Sequence, residues 1–531
     1  MDYKYTAIGL LILLSLIPVW LVPVAPLSDW PTHLAISSEM HYLLAGHTSS
    51  FYHLDFTFLG YSSVHFALTL LQDIFSMEQA GQIILSLYIL LNAACWWYFF
   101  RTLAPDRPYL FLFGLLMPFS TFFYSGNLNF LFAVAFGLVM LADGLSAIEG
   151  KRYSLPLFIL SALLVYLSHG LVFFMLAGLL GLYAAGWHAG LGRKSDLLPT
   201  AILVVLSAFF LFNTISNPLL LRDYAYYSKV NICSADAIAP RQVSYSLPDR
   251  QFTQFFGKFM LRLGTPLFFL YSVFGAQLLA ILCILLALGL LLWTSTQFME
   301  QRQSILHSAN VIFGPIQGAV DYRYLFCAIY FLAIFYLVPS CLSFVCQLNE
   351  RGTPFFLAFA LLAFGIQKPR IAFFWPLLLI IFVNVLFQAS LFSNEAGVQQ
   401  STFANLRGMA GGLSAGQSVF IIPNRLSTSY STWAQPPYPN LNYPALLVHY
   451  APGIYVSGLY TSHDFYLLRS NMTTFDEFVH FGPNPYLFEK QTPTNKEQTP
   501  IDIWDCYSPP PPGYTWILGQ NLTLTMNSRG S

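Results

Sequence analysis

Charge is what this chain has least of. Only 9% of its 531 residues are Asp, Glu, Lys or Arg, against roughly 25% in a soluble domain. So few charges cannot clothe the surface of a water-soluble fold, which excludes one for most of the length. The seven cysteines show no CxxC pair and no zinc or iron–sulfur spacing. Cys95, Cys283 and Cys341 lie in apolar runs, where a thiol is inert packing. Cys233 and Cys506 fall elsewhere, and a disulfide between them stays open. No HExxH helix offers a hydrolytic zinc site. No internal repeat is present, which weighs against the secondary transporters built from repeats. The formal net charge is zero, and nucleic acid is not an expected partner.

What the chain does have is apolar surface: 56% hydrophobic and 17% aromatic residues, with a mean hydropathy of +0.58. Crossing the hydrocarbon core takes about 20 apolar residues, and fewer inside a bundle. Runs near 6–26, 81–100, 109–124, 130–148, 154–168, 171–187, 198–215, 264–294, 322–346, 353–366 and 371–392 fit that requirement. They predict an all-α polytopic membrane bundle of about eleven spans. The first run is followed by Pro23, Pro26, Asp29 and Trp30 rather than a small-residue cleavage site, and reads as a retained anchor. With the N-terminus cytoplasmic, Lys4, Arg101, Arg107, Lys151, Arg152, Arg193, Lys194, Arg302, Lys368 and Arg370 all fall inside, as the bias of basic residues toward the cytoplasm requires. Arg351 alone breaks the pattern on the short outer connections. The 264–294 run is long enough for two short helices, an alternative that reverses everything after it.

These runs divide the chain into a transmembrane module, 1–392, with outer loops at 27–80 and 217–263, and an extracytoplasmic C-terminal domain, 393–531. The C-terminal part is Pro-rich, with strand-like Ser418–Pro423 and Gly453–Tyr460. It reads as a small α/β domain to about residue 490, then an irregular tail with the Pro509–Pro512 run. Asn471-Met-Thr and Asn521-Leu-Thr match glycosylation sequons, which act only in a host that uses them.

The two outer loops differ in charge. Residues 27–80 hold no Lys or Arg, but five acids (Asp29, Glu39, Asp55, Asp73, Glu78) and five of the eleven histidines (His33, His41, His47, His53, His65). Pro31 suits the first turn of a helix and Asp29 suits its cap. Asp29 and His33, four apart, then share one face. Two readings stand for Asp29: a helix cap, or a general base that takes a proton from an attacking hydroxyl. A divalent metal on His33, His41 and Glu39 stays open, but no cofactor is expected to be required. Residues 217–263 are basic, with Arg222, Lys229, Arg241, Arg250, Lys258 and Arg262 against three aspartates. They suit either an anionic ligand such as a lipid phosphate or simple solvation. Arg351, at an outer helix end, suits a lipid phosphate or snorkelling. Asp143, Asp321 and Arg323 lie at span ends, so the mid-membrane charges of a proton- or ion-coupled pump are lacking.

Asp29-Trp-Pro-Thr-His33, directly after the first span, resembles the first outer loop of the GT-C superfamily of membrane glycosyltransferases. Ser125-Gly-Asn-Leu-Asn-Phe130, Tyr166-Leu-Ser-His-Gly170, Asp321-Tyr-Arg-Tyr-Leu, Pro339 and Arg351 are similar to further pieces of its bacterial members. The resemblance implies transfer of a sugar from a polyprenyl-phosphate-linked donor to an extracytoplasmic glycan, lipid or protein. On it, Asp29 is the base and His33 its neighbour. Arg351, Arg262, Lys258 and Arg222 hold the donor phosphate, and Asn127 and His169 line the cavity. The chain departs from the pattern in two ways. Trp30 stands where several relatives carry a second acid, and no WWDxG signature of oligosaccharyltransferases is present, which argues against protein Asn-glycosylation. The rival readings are a lipid-linked polysaccharide polymerase or ligase, a transporter or flippase, and a membrane scaffold.

Overall fold

Proline limits how far the first apolar run can be helical. The computed structural model describes residues 3–27, 29–49, 60–191, 198–215, 321–337, 350–364, 371–415 and 443–456, with short strands and residue 56 besides. The run forms α1 (Tyr3–Leu14) and one turn, α2 (Ile17–Trp20). Pro18, Pro23 and Pro26 remove backbone donors, so residues 21–27 leave the helix. Next come α3 (Trp30–Leu44), β1 (Tyr52–Leu54), α4 (Ser63–Leu71), α5 (Met77–Leu103), a 3₁₀ segment (Pro108–Phe119), α6 (Thr121–Tyr124), α7 (Leu128–Ile148), α8 (Leu155–Ser168), α9 (Gly170–Leu191) and α10 (Leu198–Ile215). The expected 264–294 span lies outside the described residues. After it come α11 (Tyr322–Leu337), the hairpin β2 (Cys341–Leu342) and β3 (Val345–Cys346), α12 (Thr353–Phe364) and α13 (Ile371–Ala410). The C-terminal part gives β4 (Ser418–Pro423), α14 (Leu447–Tyr450), β5 (Tyr455–Val456), β6 (Leu468–Ser470), β7 (Tyr514–Gly519) and β8 (Leu522–Asn527).

Among the described residues, four helices are long and apolar enough to cross a membrane: Met77–Leu103, Leu128–Ile148, Gly170–Trp187 and Phe374–Ala410. Six shorter apolar helices accompany them among the described residues. Their outer faces carry Val205, Phe209 and Phe212 on α10 and Leu379 and Leu386 on α13, all exposed. Water disfavours such faces, and lipid does not.

The bundle is organised around α7, whose apolar stretch is 94% buried. Two glycines seven residues apart let its neighbours close in. A Cβ on Gly137 would lie 2.6 Å from Leu176 of α9 and 3.1 Å from Phe355 of α12. One on Gly144 would lie 2.9 Å from Leu180 of α9 and 3.2 Å from Phe158 of α8. Helices this close gain dispersion contacts along their backbones.

Several elements differ from the sequence-based expectation. The 109–124 run is a 3₁₀ segment plus the single turn α6, not one α-helix. Pro118 sits inside it, and Gly114 rests on Trp96, where a Cβ would be only 2.2 Å from the ring. Asn92 also donates to the Gly114 carbonyl at 2.7 Å. α11 ends two residues before Pro339, and a short hairpin replaces the rest of the expected 322–346 span. The 392/393 boundary falls inside α13, which runs 40 residues, about 60 Å. That is twice the hydrocarbon thickness of about 30 Å.

The polar second half of α13 is fastened to the rest. Gln399 is bonded to both backbone groups of Val24 and donates to the Tyr443 hydroxyl at 2.8 Å, and Tyr443 donates to Glu395 at 3.2 Å. The expected irregular tail contains β7 and β8, which join β4 and β5 in a sheet of order β5-β4-β8-β7. β4 and β5 are parallel and the other pairs antiparallel. Gly519 pairs with Leu522, a two-residue connection between β-branched and aromatic runs. β1 pairs with β6, Tyr52 opposite Ser470, so the first loop and the C-terminal part share a ladder.

Candidate active site

Asp29 stands at the start of α3, where Trp30 and Pro31 supply the first turn. Its N–H donates to the Ser125 carbonyl at 3.2 Å, and its own carbonyl accepts from the His33 N–H at 3.1 Å. Its side chain makes no capping bond to the helix, so the cap reading lacks its hydrogen bond. The turn at 125–127 presses on this backbone. Gly126 has φ +80°, and a Cβ there would lie 2.7 Å from Asp29 N and 2.9 Å from Trp30 N. Glycine alone meets both the left-handed conformation and the approach.

One turn into α3, His33 is 5% exposed. Its Nδ1 lies 2.8 Å from Nε2 of His65 on α4, and its ring also bonds the Gly126 carbonyl. Burial pushes the His33 pKa down to about 4, with the Gly126 bond opposing. His65 is fully buried, and its Nδ1 faces the Tyr61 carbonyl at 3.3 Å. Burial and then the nearby His33 hold its pKa well below the ordinary value, against the Tyr61 bond. Around the pair, Ser37 donates to the His33 carbonyl at 2.8 Å, Thr69 to the His65 carbonyl at 2.7 Å, and Ser38 to Gln72 at 2.9 Å.

Residues 60–64 thread this pair to the helix ends behind it. Ser62 N–H donates to the Leu167 carbonyl at 2.9 Å, and Gly170 N–H to the Gly60 carbonyl at 3.0 Å. The hydroxyls of Ser63 and Ser168 meet at 2.8 Å, and Val64 N–H donates to Asn129 at 3.4 Å. His169, between α8 and α9, is thereby set beside Tyr61, ring centroids 5.0 Å apart.

Arg351 approaches from the 3₁₀ turn Glu350–Gly352 that precedes α12 and is 5% exposed. Its Nη1 bonds His169 Nε2, and its guanidinium lies 5.3 Å from the Phe130 ring. A guanidinium only donates, so Nε2 accepts and the His169 proton sits on Nδ1. Burial and the Arg351 charge hold this imidazole neutral, well below its ordinary pKa. His169 Nδ1 and Asn129 Nδ2 are buried donors with no hydrogen-bond partner among the described residues. Tyr61 connects the two sides: burial raises its pKa, Arg351 lowers it and bonds the hydroxyl, and the Asp29 charge raises it.

The structure thus brings Asp29, His33, His169 and Arg351 to one locus, although 322 residues separate the first from the last. Asn127 is half-buried beside Gly126, at the start of α7. Arg222, Lys258 and Arg262 lie outside the described residues. His41 is drawn to Asp73 at 3.3 Å, and Glu39 to the Gly453 N–H at 3.5 Å, so neither joins His33. No group of three or more His, Cys, Asp or Glu suited to a metal occurs among the described residues. His65, Tyr61 and Asn129 belong to the site but were not singled out from sequence. His65 is 32 residues from its partner, and no helical or strand period links such positions. No family model, curated protein or solved structure matches the chain.

Proposed function

We propose that the chain is a multi-pass membrane glycosyltransferase of GT-C type. It moves a sugar from a polyprenyl-phosphate-linked donor to an extracytoplasmic acceptor. The reaction is a single inverting displacement. The acceptor oxygen attacks the anomeric carbon as Asp29 takes its proton, and the bond to the lipid phosphate breaks. Arg351, together with Arg222, Lys258 and Arg262 of the basic loop, stabilises charge developing on that phosphate. Neutral His169 offers its Nδ1–H to the same oxygens, with Asn127 alongside.

The contact that best supports this reading is geometric: the buried Arg351 guanidinium bonds His169, whose ring lies 5.0 Å from that of Tyr61, on the same locus as Asp29. A base beside an anion site is what this reading requires, and the arrangement is compatible with it. Its surroundings support the same conclusion. The locus lies at the N-terminal end of α7. At the other end Glu149 meets Lys151 at 2.5 Å and Arg323 at 3.2 Å. α7 has 21 residues, about 31 Å, so one hydrocarbon thickness separates the two polar clusters. The basic cluster is the cytoplasmic one by the positive-inside rule, which puts Asp29 and the C-terminal part outside.

The test uses full-length protein in lipid vesicles with polyprenyl-phosphate-linked hexoses and pentoses, and measures release of polyprenyl phosphate. Asp29→Asn should reduce turnover by at least about 10²-fold while leaving expression and insertion unchanged. Normal turnover in that variant removes Asp29 as the base. The buried Arg351–His169 contact also favours the polymerase or ligase reading, in which late Arg and His residues dominate. That reading stands instead if His169→Gln abolishes turnover and Asp29→Asn does not.

A further inference from the structure

α4 has two unlike faces. Val64, His65, Leu68 and Thr69 are buried, and Thr69 donates to the Ser37 carbonyl of α3 at 3.3 Å. Phe66, Leu70 and Ile74 are exposed, Ile74 to 77%. They stand four residues apart, so they line one side of the helix and of the turn that prolongs it. That turn is held by bonds from the Asp73 N–H to the Leu70 carbonyl at 3.3 Å and from the Phe75 N–H to the Leu71 carbonyl at 2.9 Å. Phe75 is exposed as well and enlarges the patch. The charged residue beside it, Asp73, is drawn to His41 of α3 at 3.3 Å. Single apolar side chains are ordinary on a protein surface, but a run of them along one side of a short helix marks a contact surface.

The two ends of α4 show where this patch lies. Ser63 meets Ser168, the last residue of α8, at 2.8 Å, and the Val64 N–H bonds Asn129 in the first turn of α7 at 3.4 Å. At the other end a single residue, Ser76, separates Phe75 from Met77, where α5 begins under a capping box. α4 thus runs from helix end to helix end across one end of the bundle, along the membrane plane rather than through it. Its depth follows from α5. Exposed Trp97, with the Arg101 guanidinium 5.0 Å from its ring, marks the far interface of that helix. About 20 residues cross the hydrocarbon, which puts the near edge at about Met77. Below that edge α5 exposes Leu87 and Leu90.

We propose that α4 is an interfacial helix whose Phe66, Leu70, Ile74 and Phe75 side chains are seated among the acyl chains of the adjoining leaflet. In the orientation proposed above this is the outer leaflet. Helices of this kind bury their apolar side about 5–10 Å into the boundary between headgroups and acyl chains. The seating is apolar throughout: residues 27–80 hold no Lys or Arg, so anionic headgroups gain no partner here. His65 and Thr69 occupy the opposite side of the same helix, which brings lipid within one helix diameter, about 10 Å, of the candidate site.

The seating is tested without substrate, so its failure leaves the role of Asp29 untouched. Full-length protein carrying photoreactive p-benzoylphenylalanine in place of Leu70, Ile74 or Leu87 is reconstituted in phosphatidylcholine vesicles and irradiated. Covalent adducts are then read by mass spectrometry. Positions 70 and 74 should give lipid adducts in a yield similar to that at position 87 on the membrane-crossing helix. Adding anionic lipid should leave that yield unchanged. Lipid adducts at position 87 with none at 70 and 74 overturn the proposal. Cross-linking of 70 or 74 to a second copy of the chain in place of lipid overturns it too. A yield that rises with the anionic fraction makes the attachment electrostatic and overturns the apolar seating.

Discussion

At the scale of single residues, Glu39 is a carboxyl placed where a carboxylate is costly. It is 0% exposed, and its hydrogen bonds come from the Gly453 N–H and from Ser49. Burial outweighs those bonds and pushes its pKa up from 4.5 to about 7. The folded state therefore holds this proton more tightly than the unfolded chain does. The resulting stabilisation is full below pH 4.5 and is lost as the pH rises to about 7, about 3 kcal/mol in all. The melting temperature of the purified protein should fall across that window, and Glu39→Gln should flatten this part of the profile. An unchanged slope in the variant would assign the dependence to another group. Gly126 illustrates the opposite kind of constraint, a position defined by what must be absent. Asp29 can lie where it does because position 126 has no Cβ.

At the scale of elements, the 3₁₀ segment Pro108–Phe119 is the least expected feature. Runs of 3₁₀ longer than three or four residues are uncommon, because the hydrogen bonds are poorer. Contact with α5 holds this one: Gly114 lies against the Trp96 ring, and Asn92 bonds the Gly114 carbonyl. Gly114→Ala should destabilise the protein by about 2–3 kcal/mol through overpacking, read as a lower thermal midpoint in detergent. Combining it with Trp96→Ala should cost less than the sum of the two changes, because the clash is then gone. Strict additivity of the pair would mean that the glycine's contact is not what holds the segment. A glycine within an apolar run looks like ordinary membrane-helix composition, and the sequence holds no sign of the tryptophan it faces.

At the scale of the whole molecule, the two ends of α7 define its polarity: Asp29, His33, His169 and Arg351 at one end, Glu149, Lys151 and Arg323 at the other. The proposed orientation puts the first end outside the cell. Cysteine introduced at exposed His47 should react with a membrane-impermeant maleimide in intact cells, above the wild-type background. Cysteine at Lys151 should react only after permeabilisation. The reverse pattern would invert the bundle and move the proposed chemistry to the cytoplasm. The C-terminal part is tied to this same end through the β1–β6 ladder, the Gln399–Val24 bonds and the Glu39–Gly453 contact. Residue 393, where the sequence changes from apolar to polar residues, lies inside one continuous helix.

The sequence by itself determined that the chain has apolar runs long enough to cross a membrane. It also determined where most of the helices lie and that the first loop is acidic and rich in histidine. These are properties of local composition and period, and they need no partner to be read. Tertiary structure alone decided that Asp29 has Gly126 at its back, that His33 meets His65, and that Arg351 reaches His169 and Tyr61. Each is a contact between distant segments, fixed by which helices pack on α7, and no periodicity along the chain encodes it. The feature most evident in the sequence, scarcity of charge, gained its meaning the same way. Among the described residues, Asp29, His33, His169 and Arg351 meet near one end of α7, and Glu149, Lys151 and Arg323 at the other.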